Sequence, residues 1–120
     1  MKILIAEDDP VSKRLLEGSL VSWGYEVIAT NNGAAALDIL QSADRPMLAI
    51  LDIVMPKMTG IELYREIVKI DPLTKVILVS GDASTEYEKH FPGPDGPRPV
   101  LVKKPFTLKA FLQVVQTHLD

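Results

Sequence analysis

The sequence predicts a single-domain α/β protein: a doubly wound (βα)5 sandwich whose five-stranded parallel sheet runs in the order 2-1-3-4-5. Three observations carry this expectation. Five short apolar runs alternate with five stretches of helical character, the pattern of βα units around a parallel sheet. The runs are continuous rather than alternating, as strands buried on both faces are. Right-handed crossovers then leave few topologies, of which 2-1-3-4-5 is the expected one.

Lys2 to Ala6 is the first apolar run. Asp9-Pro10 reads as a helix start, Asp9 as cap and Pro10 preset for the first turn. Val11, Leu15, Leu16 and Leu20 recur at helical spacing, and Trp23-Gly24 ends that helix. Tyr25 to Ala29 is the second strand. Asn31-Asn32-Gly33 turns into a helix with Ala36, Leu37 and Leu40 inside. Met47 to Leu51 is the third strand, closed by Asp52. Thr59-Gly60-Ile61-Glu62 matches a capping box and opens a helix carrying Ile61, Leu63, Ile67, Val68 and Ile70. Lys75 to Val79 is the fourth strand, followed by Ser80-Gly81-Asp82. Ala83 to Phe91 has room for a short, degenerate fourth helix, because Pro92, Pro94, Pro97 and Pro99 forbid a long one. An irregular loop is expected from about Pro92 to Arg98. Val100 to Val102 is the fifth strand. Thr107 caps the last helix, with Phe106 and Phe111 placed as a hydrophobic staple and Leu108, Phe111, Leu112, Val115 and Leu119 forming its apolar face.

At 120 residues the chain is long enough for one core without staples, and residues 1–120 are expected to form one domain. The 47% hydrophobic and 24% charged content is that of an ordinary globular protein. With no cysteine, disulfides and thiolate metal sites are excluded. A net charge of −3, and no basic run longer than Lys103-Lys104, argue against direct nucleic-acid binding. The apolar start, Met1 to Ile5, is too short for a signal peptide or a membrane span, so a cytoplasmic protein without a membrane partner is expected. The Met1 start favours an N-terminal or stand-alone domain.

In the 2-1-3-4-5 order, strands one and three meet at the switch point, where ligands bind beyond the strand C-termini. Asp8, Asp9 and Asp52 all fall there. Crowded carboxylates repel one another, and hard oxygen ligands suit Mg²⁺, which takes one or two carboxylates and keeps several waters. Asp9 and Asp52 are placed to ligate it directly, Asp8 directly or through water, and the Val54 carbonyl lies two residues beyond Asp52. A carboxylate at a strand apex can attack phosphorus and form an acyl phosphate. Lys104, at the end of the fifth strand, is the candidate ammonium for the transferred group, and Ser80 the candidate hydroxyl donor. Each residue alone has an ordinary reading: Asp9 as a helix cap, Asp8 as a solvated loop acid, Asp52 as a turn residue, Lys104 as a surface lysine. Their convergence on one sheet edge carries the inference. No Gly-rich loop ending in Lys-Ser/Thr is present, which disfavours a nucleoside triphosphatase, and no Gly-x-Ser-x-Gly elbow.

At Ile3-Leu4-Ile5-Ala6-Glu7-Asp8-Asp9, Leu51-Asp52-Ile53-Val54-Met55-Pro56-Lys57-Met58-Thr59-Gly60, Val79-Ser80-Gly81 and Lys104-Pro105-Phe106, the chain resembles the receiver domain of two-component response regulators (CheY-like), along its whole length. The resemblance implies that Asp52 accepts a phosphoryl group from a phosphohistidine on a sensor histidine kinase or histidine phosphotransfer protein. It implies Mg²⁺ held by Asp9, Asp52 and the Val54 carbonyl, with Asp8 supporting through water. It also implies that Ser80 and Lys104 engage the phosphate, that the Lys104–Pro105 bond is cis, and that a downstream protein or output domain reads a conformational switch. The family's aromatic residue three positions before the lysine is here Leu101, and the proline-laden stretch from Pro92 to Pro99 departs from the family's fourth helix. A monomer or weak dimer is expected. The domain would catalyse only its own phosphorylation and dephosphorylation. Three other classes remain: a phosphorylation-independent interaction module; a dehalogenase-type phosphatase, which wants an Asp where Val54 stands; and a flavodoxin-like electron carrier, whose flavin phosphate Asp8-Asp9 would repel.

Overall fold

The computed structural model of the chain describes residues 2–42, 46–55, 58–71, 74–81, 84–91 and 99–119. The elements alternate without exception: β1 (Lys2–Ala6), α1 (Pro10–Ser22), β2 (Glu26–Thr30), α2 (Gly33–Leu40), β3 (Leu48–Asp52), α3 (Gly60–Ile70), β4 (Lys75–Ser80), α4 (Ser84–His90), β5 (Val100–Lys103) and α5 (Leu108–Leu119). All strand pairs are parallel and the order is β2-β1-β3-β4-β5. The doubly wound topology expected from the sequence is therefore the one formed.

The central strands are apolar on both faces because both faces are covered. Ile3, Ile5, Leu48, Ile50, Ile77 and Val79 pack with Leu16 and Leu20 of α1 and Phe111 and Val115 of α5. The alternate residues, among them Leu4, Ala6, Ala49, Leu51 and Leu78, pack with α2, α3 and Tyr87 of α4. Burying a Leu or Ile of this kind is worth roughly 1.5–3 kcal/mol. Several of the expected core positions are not inside: Val11 is 76%, Leu15 55% and Leu108 37% exposed. Leu16 and Leu20, one turn apart, already fill the space over the sheet. Leu15 lies about 100° and Val11 about 140° around the helix from Leu16, away from the sheet. Val68 and Met47 are exposed as well, and Met47 precedes β3 rather than opening it.

Local chemistry sets the helix ends. Asp9 caps α1, Asn32 accepts from the Ala35 amide at the start of α2, and Thr59 and Glu62 form the reciprocal capping box of α3. Gly24, at φ 95°, adopts the left-handed conformation that lets the chain leave α1 for β2. The Thr107 hydroxyl accepts from the Ala110 amide, and the Phe106 and Phe111 rings stack at 4.9 Å, as expected of a capped and stapled α5.

The fourth helix is seven residues long and depends on aromatic rings rather than on a stripe of aliphatic residues. Tyr87 is buried, its ring lies 5.1 Å from Phe91, and Phe91 meets Tyr64 edge-on at 5.6 Å. The Arg65 guanidinium sits 5.5 Å above the Phe91 ring. The Tyr87 hydroxyl donates to the Pro99 carbonyl at 2.7 Å, tying α4 to the start of β5. Tyr87→Phe leaves that carbonyl without its donor and is expected to cost about 1 kcal/mol of stability. Urea unfolding would register this, with faster amide exchange in α4; unchanged exchange there would show that the bond does not hold the helix. The loop expected at 92–98 lies outside the described residues.

Candidate functional site

The register of the sheet builds the site. Ala6 pairs with Leu51, so Glu7 and Asp52 emerge side by side one residue further on. Both continue the face that carries Ile3, Ile5 and Ile50. The Glu7 amide donates to the Thr30 carbonyl at 3.2 Å, which extends the β1–β2 ladder and fixes the backbone of Glu7. Beyond β3, the Ile53 amide donates to Val79 and the Val54 amide to Asp52 Oδ1 at 3.2 Å. On the far side Ser80 pairs with Lys103, and the Lys104 amide donates to the Ser80 carbonyl at 2.7 Å. The Lys104–Pro105 peptide is cis, as the resemblance implied.

Gly60 is more than a cap. Its amide donates to the Ile53 carbonyl at 3.0 Å, and a Cβ there would lie 2.4 Å from the Asp52 carbonyl oxygen. The first turn of α3 thus rests directly on the backbone that presents Asp52.

Carboxylate oxygens of Glu7, Asp8 and Asp52 lie within 4.8 Å of one another, the one such metal-ready group among the described residues. Lys104 Nζ donates to Glu7 Oε1 at 2.7 Å and stands 3.8 Å from Asp52 Oδ2. Ser80, buried at the end of β4, completes the strand-end set. Of the expected residues, then, Asp8, Asp52 and Lys104 come together and Ser80 closes the neighbouring strand.

Asp9, expected as a direct ligand, lies outside that acidic group. Its Oδ2 accepts from the Ser12 amide at 3.1 Å and the Ser12 hydroxyl at 2.7 Å, as the cap of α1. Those bonds hold its carboxyl below the usual carboxylate range. The residue that sequence reasoning passed over is Glu7. The signal was there in the alternation Ile3, Ile5, Glu7, which puts a carboxylate on the face that Asp52 shares.

Glu7 is 2% exposed, and its Oε2 has no hydrogen-bond partner. Burial, helped by the neighbouring Asp52 carboxylate and opposed by Lys104, pushes its carboxyl up to about 7. Burial draws the Lys104 ammonium down, but the Glu7 bond and the surrounding carboxylates outweigh it and leave it raised. One ammonium facing three carboxylates does not balance them. An orphaned buried oxygen in an all-oxygen, negatively charged donor set fits a hard divalent cation such as Mg²⁺.

Fold and site together define a doubly wound α/β domain with an acidic pocket at the C-terminal edge of its parallel sheet. The family model of the response regulator receiver domain matches residues 3–116, and the chain belongs to that family. It is a receiver of two-component signal transduction. The chain is 39% identical over 119 residues to the response regulator receiver protein CpdR of Brucella abortus, covering 98% of this chain and 96% of that protein. It is 34% identical over 113 residues to the response regulator MprA of Mycobacterium avium, covering 93% of this chain and 48% of MprA; it spans about half the length of that relative. Among solved structures, a response regulator receiver protein from Sinorhizobium medicae superposes with a TM-score of 0.89 at 27% identity, over 99% of this chain and 94% of that one. The response regulator TrrA of Thermotoga maritima, solved in complex with Mg²⁺ and BeF, superposes with a TM-score of 0.81 at 31% identity, over 98% and 97% of the two chains. Among the described residues no helix is long and apolar enough to cross a membrane.

Proposed function

We propose that the chain is a single receiver domain in which Asp52 accepts a phosphoryl group from a phosphohistidine of a sensor histidine kinase or phosphotransfer protein. An Asp52 carboxylate oxygen forms the new bond to phosphorus while the phosphorus–nitrogen bond to the donor imidazole breaks, its electron pair returning to the imidazole. The observation that carries this reading is the position of Asp52: at a strand end, beside two other carboxylates, with an ammonium 3.8 Å away. Mg²⁺ would be held by Asp8 and Asp52, with Glu7 and the Val54 carbonyl in support and Asp9 left to the helix cap. When bound it supplies charge neutralisation to the transferred group.

The remaining roles fall to the chain's own side chains. Lys104 supplies positive charge to the phosphoryl oxygens from the β5 side, and the Ser80 hydroxyl donates to one of them from β4. The domain turns over only its own phosphoryl group, works in the cytoplasm, and acts on a downstream protein or output domain. Incubation with acetyl phosphate and Mg²⁺, followed by intact mass measurement, tests the reading. One added phosphoryl group is expected, lost when Mg²⁺ is chelated and absent in Asp52→Asn. No adduct, even with rapid quenching, would leave a phosphorylation-independent interaction module as the better account.

A further inference from the structure

Between α3 and the seven-residue α4 lies a cleft of about 470 Å³, a volume within the range of ligand-binding pockets. One wall is the segment after β3, where Val54 is 65% exposed and Met55 is buried. The other carries Ile61, Glu62 and Arg65 from the first two turns of α3, and His90 of α4 completes the lining. Arg65 is held in place there, but its donors are unused. Its guanidinium sits 5.5 Å over the Phe91 ring, a contact that engages its charge and takes none of its five N–H groups. Among the described residues those groups meet no carboxylate. Glu62, one turn earlier, is engaged elsewhere: its Oε1 accepts from the Thr59 amide in the capping box of α3. A guanidinium held by a ring and lacking an anion is a ready receptor for a carboxylate, because its planar fork matches two oxygens.

The occupant follows from charge and spacing. The chain carries a net charge of −3 and Glu62 is itself in the cleft wall, so a run of acidic residues is disfavoured. A single carboxylate is not. Arg65 and Ile61 stand one helical turn apart, about 6 Å between their Cβ atoms, so the apolar group of the occupant must closely adjoin its carboxylate. The last residue of a chain meets that requirement, with carboxylate and side chain on one Cα. We infer that this cleft docks the C-terminal end of a partner protein whose last residue is apolar: Arg65 takes the terminal carboxylate, and the side chain packs against Val54, Met55 and Ile61. The inference does not depend on the acceptor role proposed for Asp52.

The test titrates the isotope-labelled whole chain with three peptides and follows methyl and arginine Nε–H resonances by NMR. The first is acetyl-Ala-Ala-Leu with a free carboxylate, the second is its C-terminal amide, and the third is acetyl-Leu-Asp-Ala-amide, whose one carboxylate is internal. The free acid is expected to shift Val54, Ile61 and Arg65 saturably, with a Kd on the order of 1 mM. The amide should bind about tenfold more weakly, because a charge-assisted contact is lost. Arg65→Gln should weaken the free acid by as much, and Arg65→Lys several-fold, since an ammonium keeps the charge but not the fork. Equal affinity for acid and amide would overturn the inference, and that comparison needs no variant. Tighter binding of the internal-carboxylate peptide would overturn the assignment to a chain end. No saturable shift from any of the three, or shifts confined to other faces, would overturn the cleft as a docking site.

Discussion

Glu7→Gln is expected to make the metal-free protein more stable at pH 8, while leaving it close to wild type near pH 4.5. The folded-state pKa of Glu7 is raised from 4.5 to about 7 by burial and by Asp52. Between those values the folded protein holds a proton that the unfolded chain releases, so stability falls as pH rises through the window. Above about pH 7 the whole penalty of a buried carboxylate is in force, on the order of 3 kcal/mol at most. Glutamine keeps the shape and hydrogen-bonding capacity of the protonated acid and removes that penalty. Urea titrations at pH 5 and pH 8 in the presence of a chelator would show the wild-type midpoint dropping while the variant's stays flatter. Parallel pH profiles would show that Glu7 is not the group responsible. Saturating Mg²⁺ should close or reverse the gap, since a cation that binds only the folded state stabilises it by mass action.

Gly60→Ala is expected to damage both stability and the site. The added methyl would lie 2.4 Å from the Asp52 carbonyl oxygen, 2.9 Å from its carbonyl carbon and 3.0 Å from Ile53 Cα. All three are backbone atoms, so no side chain can rotate out of the way. Either α3 lifts from the sheet or the segment after β3 is pushed aside, at a cost of about 2–4 kcal/mol. If the segment moves, Asp52 moves with it. Acetyl phosphate labelling should then fall several-fold in the fraction that remains folded. A variant that melts and reacts like wild type would mean that α3 can shift without disturbing β3.

The strands were legible because both sheet faces are covered, and each run therefore reads as unbroken Val, Ile, Leu and Ala. Their ends were less so. β2 extends to Thr30, whose hydroxyl turns inward to the Ile5 carbonyl at 2.7 Å, and β5 to Lys103, whose partner on β4 is Ser80. Nothing in the local sequence announces either cross-strand partner. The face of α1 was blurred for a related reason: Val11, Leu15, Leu16 and Leu20 all fit helical spacing, and only the sheet decides which pair is covered. Asp8, Asp52, Ser80 and Lys104 stood out as polar residues closing apolar runs. Glu7 did not, because a fully buried glutamate is rare and its place beside Asp52 depends on register between strands more than forty residues apart. Asp9 carried two signals, cap and acid, and its carboxylate caps α1.

The bond between Glu7 and Lys104 joins residues 97 apart in sequence. Pairing of β1 with β3 alone brings Glu7, Asp8 and Asp52 together, so a chain that has made only its first half gathers negative charge with no counter-charge. Relief arrives only with β5, the last strand of the sheet to be synthesised. The final strand closes an electrical circuit that the first strand opened, and a nascent or truncated chain lacking it has no Lys104 ammonium beside these carboxylates. Competence to receive a signal is thereby tied to completion of the sheet.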